Sequence, residues 1–192
     1  MTAEVTAGPE LTLHGQRVVL REFRPDDVDD VLALIGDDRV TEWLSFDSRD
    51  RAAAVAMIEG VEQRRRQQPR TEFYLAITPA DGPDQCVGFV RLAFDGVRAG
   101  KLGYATAFDH WGRGYAGDAA RVLIDYGFRE LGLHRISAAI GPDNRASIAL
   151  VERLGMTREG TIRDHVFTNG AWRDSVLYSV LADEWASDRV AA

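Results

Sequence analysis

Apolar residues recur along this chain at two spacings, and the switches between them lay out the fold. Residues 17–23 place β-branched and charged side chains on alternate sides, as a first strand does. Arg24, Pro25, Asp26 and Asp27 then form a turn that becomes a helix start, with acids in its first turn. Val28, Val31, Leu32 and Ile35 make an apolar stripe at helical spacing, and Gly36 stops it. A second helix is predicted over residues 48–67. Ser48 is its cap, and Ala52, Val55, Ile58 and Val61 form its stripe. Arg64, Arg65 and Arg66 form a solvated C-terminal cluster that suits the helix dipole.

Strands then dominate. They are predicted over 73–78, 86–94 and 101–108, with a turn at 79–83 and a hairpin signal at Asp95-Gly96. A strongly periodic helix over 115–131 buries Ala120, Leu123, Ile124, Gly127 and Phe128. A strand over 134–140 follows, completing a βαβ unit with a right-handed crossover. A short helix over 144–154 ends at Gly155. Strands over 157–167 and 173–181, turned at Asn169-Gly170, form a closing hairpin. No repeat or linker interrupts this order. It predicts a mixed α/β domain over 11–186, with a mostly antiparallel sheet and one central parallel crossover. Residues 1–10 read as a flexible tail and 187–192 as a C-terminal tail.

A length of 192 residues suits one domain with a full core. The net charge of -7 argues against non-specific nucleic-acid binding and favours neutral or cationic partners. The single cysteine, Cys86, excludes an internal disulfide and a cysteine-based metal site. It alternates with apolar residues and has no histidine placed to activate it, so it reads as a buried inert thiol. The first nine residues lack a basic region followed by an apolar run, and no apolar stretch is long enough to span a bilayer. The expectation is a cytoplasmic protein without a membrane partner.

The candidate chemistry lies in Gly112, Arg113, Gly114, Tyr115, Ala116 and Gly117, a glycine-rich turn between a strand and a helix. A helix start has unsatisfied N–H groups and a partial positive charge, so it seats a phosphate or pyrophosphate. The turn matches the dinucleotide fingerprint G-x-G-x-x-G letter for letter. That fingerprint belongs after the first strand of a doubly wound sheet. Here four strands precede it, two of them as an antiparallel hairpin, and no further βαβ units follow. Asp109, His110 and Trp111 are also too polar for the end of a buried parallel strand. A phosphate-binding P-loop fails because no Lys-Ser or Lys-Thr follows the glycines.

The turn is one of several motifs in a fixed order. Leu133-His-Arg-Ile136, Pro142-Asp-Asn-Arg-Ala-Ser147, Glu152-Arg-Leu-Gly-Met156, Glu159-Gly160 and Trp172-Arg-Asp174 follow it at tight spacing. Together they resemble the GNAT superfamily of N-acetyltransferases, in particular its Rim-like branch, which includes ribosomal-protein N-terminal acetyltransferases. The resemblance covers nearly the whole chain and is densest over 103–185. It implies acetyl-CoA as co-substrate and a V-shaped opening between the strand before the turn and the strand over 134–140. Thr106, Ala107 and Phe108 would meet the pantetheine arm, with a backbone N–H near Ala107 and Phe108 facing the oxyanion. Trp111, Gly112, Arg113, Gly114, Ala116 and Gly117 would hold the pyrophosphate. The family often has Thr at the place of Gly117. Asn144 would bond the pantetheine, and Ser147 would protonate the leaving thiol.

The family's glutamate before the central Leu-Gly-Tyr is Lys101 here. Glu72 is therefore the candidate base, with Glu42 and Asp109 beside it, acting directly or through water. His110 and His165 are alternatives because imidazole titrates near neutrality. The resemblance implies transfer of acetyl to a primary amine, either a protein N-terminus or a small molecule. The acidic composition suits a cationic acceptor. The alternative is a non-catalytic acyl-CoA sensor or interaction module, which Lys101 favours and the Asn144/Ser147 pair opposes. The first two helices, the loop over 37–47 and the closing hairpin would build the acceptor surface. Trp43 and Phe46 in that loop read as core packing. The oligomeric state is left open, a homodimer included.

Overall fold

Alternating apolar positions give the chain a central eight-stranded sheet in the computed structural model, which describes residues 10–187. In chain order the elements begin with β1 (Thr12–His14), β2 (Val18–Arg21), α1 (Val28–Ile35), α2 (Asp38–Thr41) and α3 (Arg51–Arg65). Strands β3 (Glu72–Pro79), β4 (Gly88–Phe94) and β5 (Ala99–Thr106) follow, then α4 (Tyr115–Arg129), β6 (Arg135–Ile140) and α5 (Arg145–Arg153). The chain closes with β7 (Thr157–Thr168), β8 (Ala171–Leu181) and α6 (Ala182–Ser187). The strand order is β1-β2-β3-β4-β5-β6-β8-β7, and β5 with β6 is its one parallel pair. Of the two expected tails, 1–9 and 188–192 lie outside the described residues, while Ser187 ends α6.

Side chains alternate across the sheet, so each strand feeds two cores. Leu75, Ile77, Val90, Leu92 and Leu102 face α4, where Ala120, Leu123 and Ile124 meet them, all fully or nearly fully buried. Ala76, Phe89 and Ala105 point to the other face, toward Val31, Leu34 and Ile35 of α1 and Ala54, Ile58 and Val61 of α3. Each large side chain so buried contributes about 1.5–3 kcal/mol.

Several boundaries differ from the sequence reading. Strand β1 and helices α2 and α6 were not anticipated; each is short and has too few periodic positions to read. The second long helix starts at Arg51. Its cap is Asp50, whose carboxylate accepts the Ala53 N–H at 2.9 Å. Ser48 bonds Thr41 and Asp38 of α2 instead. The buried stripe of α3 begins at Ala54, and Val55 is exposed, because the face toward α1 decides which positions are covered. Phe128 is only partly buried, against Trp185 of α6. Strand β5 ends at Thr106, two residues early. The Ala107 N–H makes the last bond to Val87 (2.9 Å), and the Trp111 indole N–H returns to the Thr106 carbonyl (2.9 Å).

The feature that positions a site is a split in the sheet. Strands β5 and β6 pair only at Ala99↔Arg135, Gly100↔Ile136 and Lys101↔Ser137. Beyond Lys101, β5 stays on β4 as far as Thr106, and β6 stays on β8 as far as Ile140. Each strand is held by its outer neighbour, and their inner edges part.

Candidate active site

A cavity of about 1440 Å³ passes through this split from the α4 face to the α1 and α3 face. Its walls come from both sides of the sheet, and the parity of β5 sorts them. The Asp95 N–H bonds the Ala99 carbonyl, and the Ala107 N–H bonds the Val87 carbonyl. In an antiparallel ladder, alternate residues bond the same neighbour. Ala99, Lys101, Gly103, Ala105 and Ala107 therefore spend their backbone groups on β4. The Tyr104 and Thr106 N–H groups point into the split, whereas the Leu102 N–H faces Ser137 in the last pair with β6.

This parity revises the expected oxyanion donor. The Ala107 N–H is already bonded, and Phe108 sits in a 3-10 turn outside the cavity wall. Thr106 lines the cavity, but Ala107 and Phe108 do not. Tyr104 is the residue that the sequence reading missed. Counting parity back from the Asp95-Gly96 turn would have found it.

At the open end of the split lies the glycine turn. Gly112 and Gly114 take left-handed backbone at φ 74° and 79°. That geometry leads directly into α4, whose first intrahelical bond runs from the Asp118 N–H to the Gly114 carbonyl at 3.1 Å. The amides of Tyr115, Ala116 and Gly117 are thus the orphan donors of the helix start. Trp111, Gly112, Gly114, Ala116 and Gly117 all line the cavity. Arg113 does not; it is exposed and donates to the Asp109 carbonyl at 3.2 Å. His110 lines the cavity beside the turn, and its buried Nδ1 has no hydrogen-bond partner.

Helix α5 supplies the opposite wall. Asn144 caps it, its side-chain oxygen accepting the Ser147 N–H at 3.0 Å. Asn144, Arg145 and Ser147 line the cavity, and the Tyr104 hydroxyl reaches toward the Ser147 carbonyl. Burial pushes the Tyr104 hydroxyl up to about 12. Arg145 adds a cation one residue from the cap. The motif Pro142–Ser147 contains it, but residue type alone assigns it no role.

Across the sheet, on the α1 and α3 face, lie Trp43, Phe46, Met57, Tyr74, Phe89 and His165. Trp43 and Phe46 both line the cavity; Trp43 is 39% exposed, while Phe46 also packs on the core as expected. His165 Nδ1 shares a 2.9 Å hydrogen bond with the Ser175 hydroxyl. Burial, and then the nearby Lys101 ammonium, hold the His165 imidazole below its usual value. Glu72, Glu42 and Asp109 do not line the cavity. Both Glu72 oxygens are taken by ion pairs, one with Arg64 and one with Arg91. Glu72 therefore anchors two arginines and presents no free carboxylate. Arg64 also leaves the expected solvated cluster, whereas Arg65 and Arg66 stay on the helix with Glu62.

Cys86 is buried, and burial pushes its thiol up to about 12, as an inert core thiol requires. Among the described residues no group of His, Cys, Asp and Glu is placed to hold a metal, and no helix is long and apolar enough to cross a membrane.

The donor set suits a CoA thioester. A helix start with three free amides and left-handed glycines suits a pyrophosphate. An open strand edge suits the amide-bearing pantetheine arm, which would pair as an added strand does. The cavity also exceeds the roughly 300–1,000 Å³ of an ordinary ligand pocket.

Comparison with known proteins points the same way. Residues 17–157 match the family described as Acetyltransferase (GNAT) domain. Uncharacterized N-acetyltransferase p20 of Bacillus licheniformis is 31% identical over 176 residues, covering 91% of this chain and 98% of its own. The ribosomal protein uS5-alanine N-acetyltransferase of Escherichia coli (strain K12) is 35% identical over 119 residues, 61% of each chain. Mycobacterium smegmatis RimJ in complex with CoA-disulfide has the same fold, with a TM-score of 0.78 at 23% identity, covering 97% of this chain and 95% of that one. The chain therefore belongs to the GNAT family, in its Rim-like branch, as an acetyl-CoA-dependent N-acetyltransferase.

Proposed function

We propose that this enzyme acetylates the amine of a protein N-terminus in the cytoplasm, with His165 as general base and Ser147 as the acid on the leaving sulfur. The observation that carries this reading is the cavity itself. It joins the glycine turn and α5 on one face of the sheet to the Trp43 and His165 wall on the other, so cofactor and acceptor meet at the β5 edge. The relative that acts on the alanine N-terminus of ribosomal protein uS5 supports a protein acceptor. The non-catalytic alternative has no observation in its favour beyond Lys101.

Acetyl-CoA supplies an acetyl thioester, and the amide C–N bond forms as the C–S bond breaks and the CoA thiol is released. The chain's own residues do the rest. The amides of Tyr115, Ala116 and Gly117 bind the pyrophosphate, with Arg145 adding charge. The Tyr104 N–H is a preorganised donor for the charge that develops on the carbonyl oxygen. His165 is neutral at pH 7 because its imidazole is held low, so it accepts the acceptor's proton. Ser147 and the Tyr104 hydroxyl stand on the α5 side, where the sulfur leaves. Glu72 acts through Arg64 and Arg91, as a positioning residue.

The test is thiol release from acetyl-CoA across a panel of free amines and N-terminal peptides. Release with the peptides, lowered at least about tenfold in Ser147→Ala, is the expected result, since general acid or base groups typically supply 10²–10⁴-fold. Release from small amines but from no peptide would refute the protein-terminus reading.

A further inference from the structure

The acceptor side of the cavity carries the opposite charge to the chain as a whole. We infer that it selects an amine accompanied by a carboxylate, and disfavours a polycationic amine. This rests on the acetyl-transfer reading of the same site.

Four cations line that wall. Arg91 lies on β4 and Lys101 on β5, both on the face covered by α1 and α3. Arg64 enters from the last turn of α3, and Arg49 from the loop before it. One carboxylate opposes them, Glu72, whose side chain is only 11% exposed. The Arg64 and Arg91 side chains on either side of it are 42% and 40% exposed. The guanidiniums thus face the cavity while the acid lies beneath. Among the described residues Lys101 makes no ion pair, and the Arg49 guanidinium lies over the Phe46 ring at 4.2 Å. Four cations and one carboxylate leave a formal local charge of about +3. Among the described residues the only carboxylate that lines the cavity is Asp143, beside Asn144 at the cofactor end.

The cofactor's phosphates do not account for these cations. The glycine turn and Arg145 sit at the open end of the split. Lys101 sits at its closed end, on the last pair that β5 makes with β6. Five residues of extended strand separate Lys101 from Thr106, about 16 Å at the usual rise. Arg64 and Arg91 lie on the sheet face away from α4.

An ammonium entering such a wall is disfavoured, which lowers its pKa and helps it lose a proton. A second positive charge would only add repulsion. A carboxylate near the amine offsets that repulsion and matches the guanidinium forks. Trp43, Phe46 and Tyr74 give the acceptor an apolar wall between these charges. The carboxylate belongs either to an acidic side chain near a peptide N-terminus or to a free amino acid.

The test uses C-terminally amidated tripeptides with a free N-terminal alanine followed by Glu, Gln or Lys, with free glutamate and glutamine as a second arm. Thiol release should give kcat/KM in the order Glu, Gln, Lys, with about tenfold between steps, or about 1.4 kcal/mol each. Lys101→Glu and Arg91→Gln should each lower the Glu-to-Lys ratio at least about tenfold. A second readout needs no turnover: calorimetric binding of the N-acetylated tripeptides to the CoA-saturated protein. The same order should appear, and it should weaken between about 0.05 and 0.3 M salt as screening grows. Binding of the wild-type series decides the matter if either variant fails to fold. Equal affinities in both arms, or a Lys preference, overturn the inference. An intact Glu preference in binding with no thiol release from any amine overturns the transfer reading and leaves the anion subsite standing. A preference confined to glutamate over glutamine supports it and assigns the carboxylate to a free amino acid.

Discussion

Gly114→Ala isolates one physical term at the cofactor turn. Gly114 is the N-cap of α4 at φ 79°, ψ 4°. A Cβ there would meet the Arg17 side chain at 3.4 Å, an ordinary contact, so crowding contributes little. What remains is the left-handed backbone, which costs a residue with a Cβ about 1–2 kcal/mol. That cost must appear in one of two places. If the turn holds its shape, the apo protein loses about 1–2 kcal/mol of stability and CoA affinity is unchanged. If the turn relaxes, stability recovers, the Tyr115, Ala116 and Gly117 amides lose their aim, and Kd for CoA rises about 5- to 30-fold. The two losses together should total about 1–2 kcal/mol. Urea unfolding measures the first and calorimetric titration with CoA the second. Gly117→Ala is the control for stability. Gly117 is helical, and its Cβ would meet only Leu150, at 3.8 Å, so it should gain about 0.5–1 kcal/mol from helix propensity. A Gly114→Ala protein that loses neither stability nor affinity would refute the strained-turn account.

Three other outcomes follow from the same structure. Because burial and Lys101 hold His165 below about 6.5, its neutral form persists at neutral pH; kcat/KM should fall only as pH drops below that value, and Lys101→Gln should move the limb upward. An unchanged acid limb in His165→Gln would assign the proton to another group. Asp27→Ala should cost about 1–3 kcal/mol by chemical denaturation, since Asp27 accepts two bonds from the buried Arg21 guanidinium at 2.7 and 2.8 Å while Asp84 still pairs Arg21 Nε at 2.7 Å; a loss under about 0.5 kcal/mol would show that Asp84 and water satisfy Arg21 without Asp27. Asn144→Ala should lose about 1 kcal/mol with the α5 cap, and Asn144→Asp should restore that stability without restoring CoA affinity, because a carboxylate caps the helix but offers the pantetheine no donor. Equal CoA affinity in Asn144→Asp and the wild type would remove Asn144 from the cofactor site.

Much of the fold was legible because periodicity is a local signal. The βαβ unit around the glycine turn, the α5 cap at Asn144 and the closing hairpin each rest on contacts within a few residues along the chain. Three short elements escaped because three to six residues carry too little pattern. The site was legible where a motif is contiguous. It was not legible where the decisive geometry is parity or pairing, as with the Tyr104 N–H turned into the split. Glu72 shows why residue type alone misleads. A carboxylate on a strand was a reasonable base until α3 and β4 closed two arginines over it.

Charge marks the boundary most clearly. The sequence by itself determined the strand and helix order, the anion seat at the glycine turn, and a net charge of -7 that pointed to a cationic acceptor. Only the tertiary structure decided which charges share a cavity. Arg49, Arg64, Arg91 and Lys101 come from a loop, a helix and two strands, and the sheet brings them to one wall while most acids remain outside it. Net charge sums over the whole surface, but a ligand responds to the groups within about a Debye length of roughly 8–10 Å.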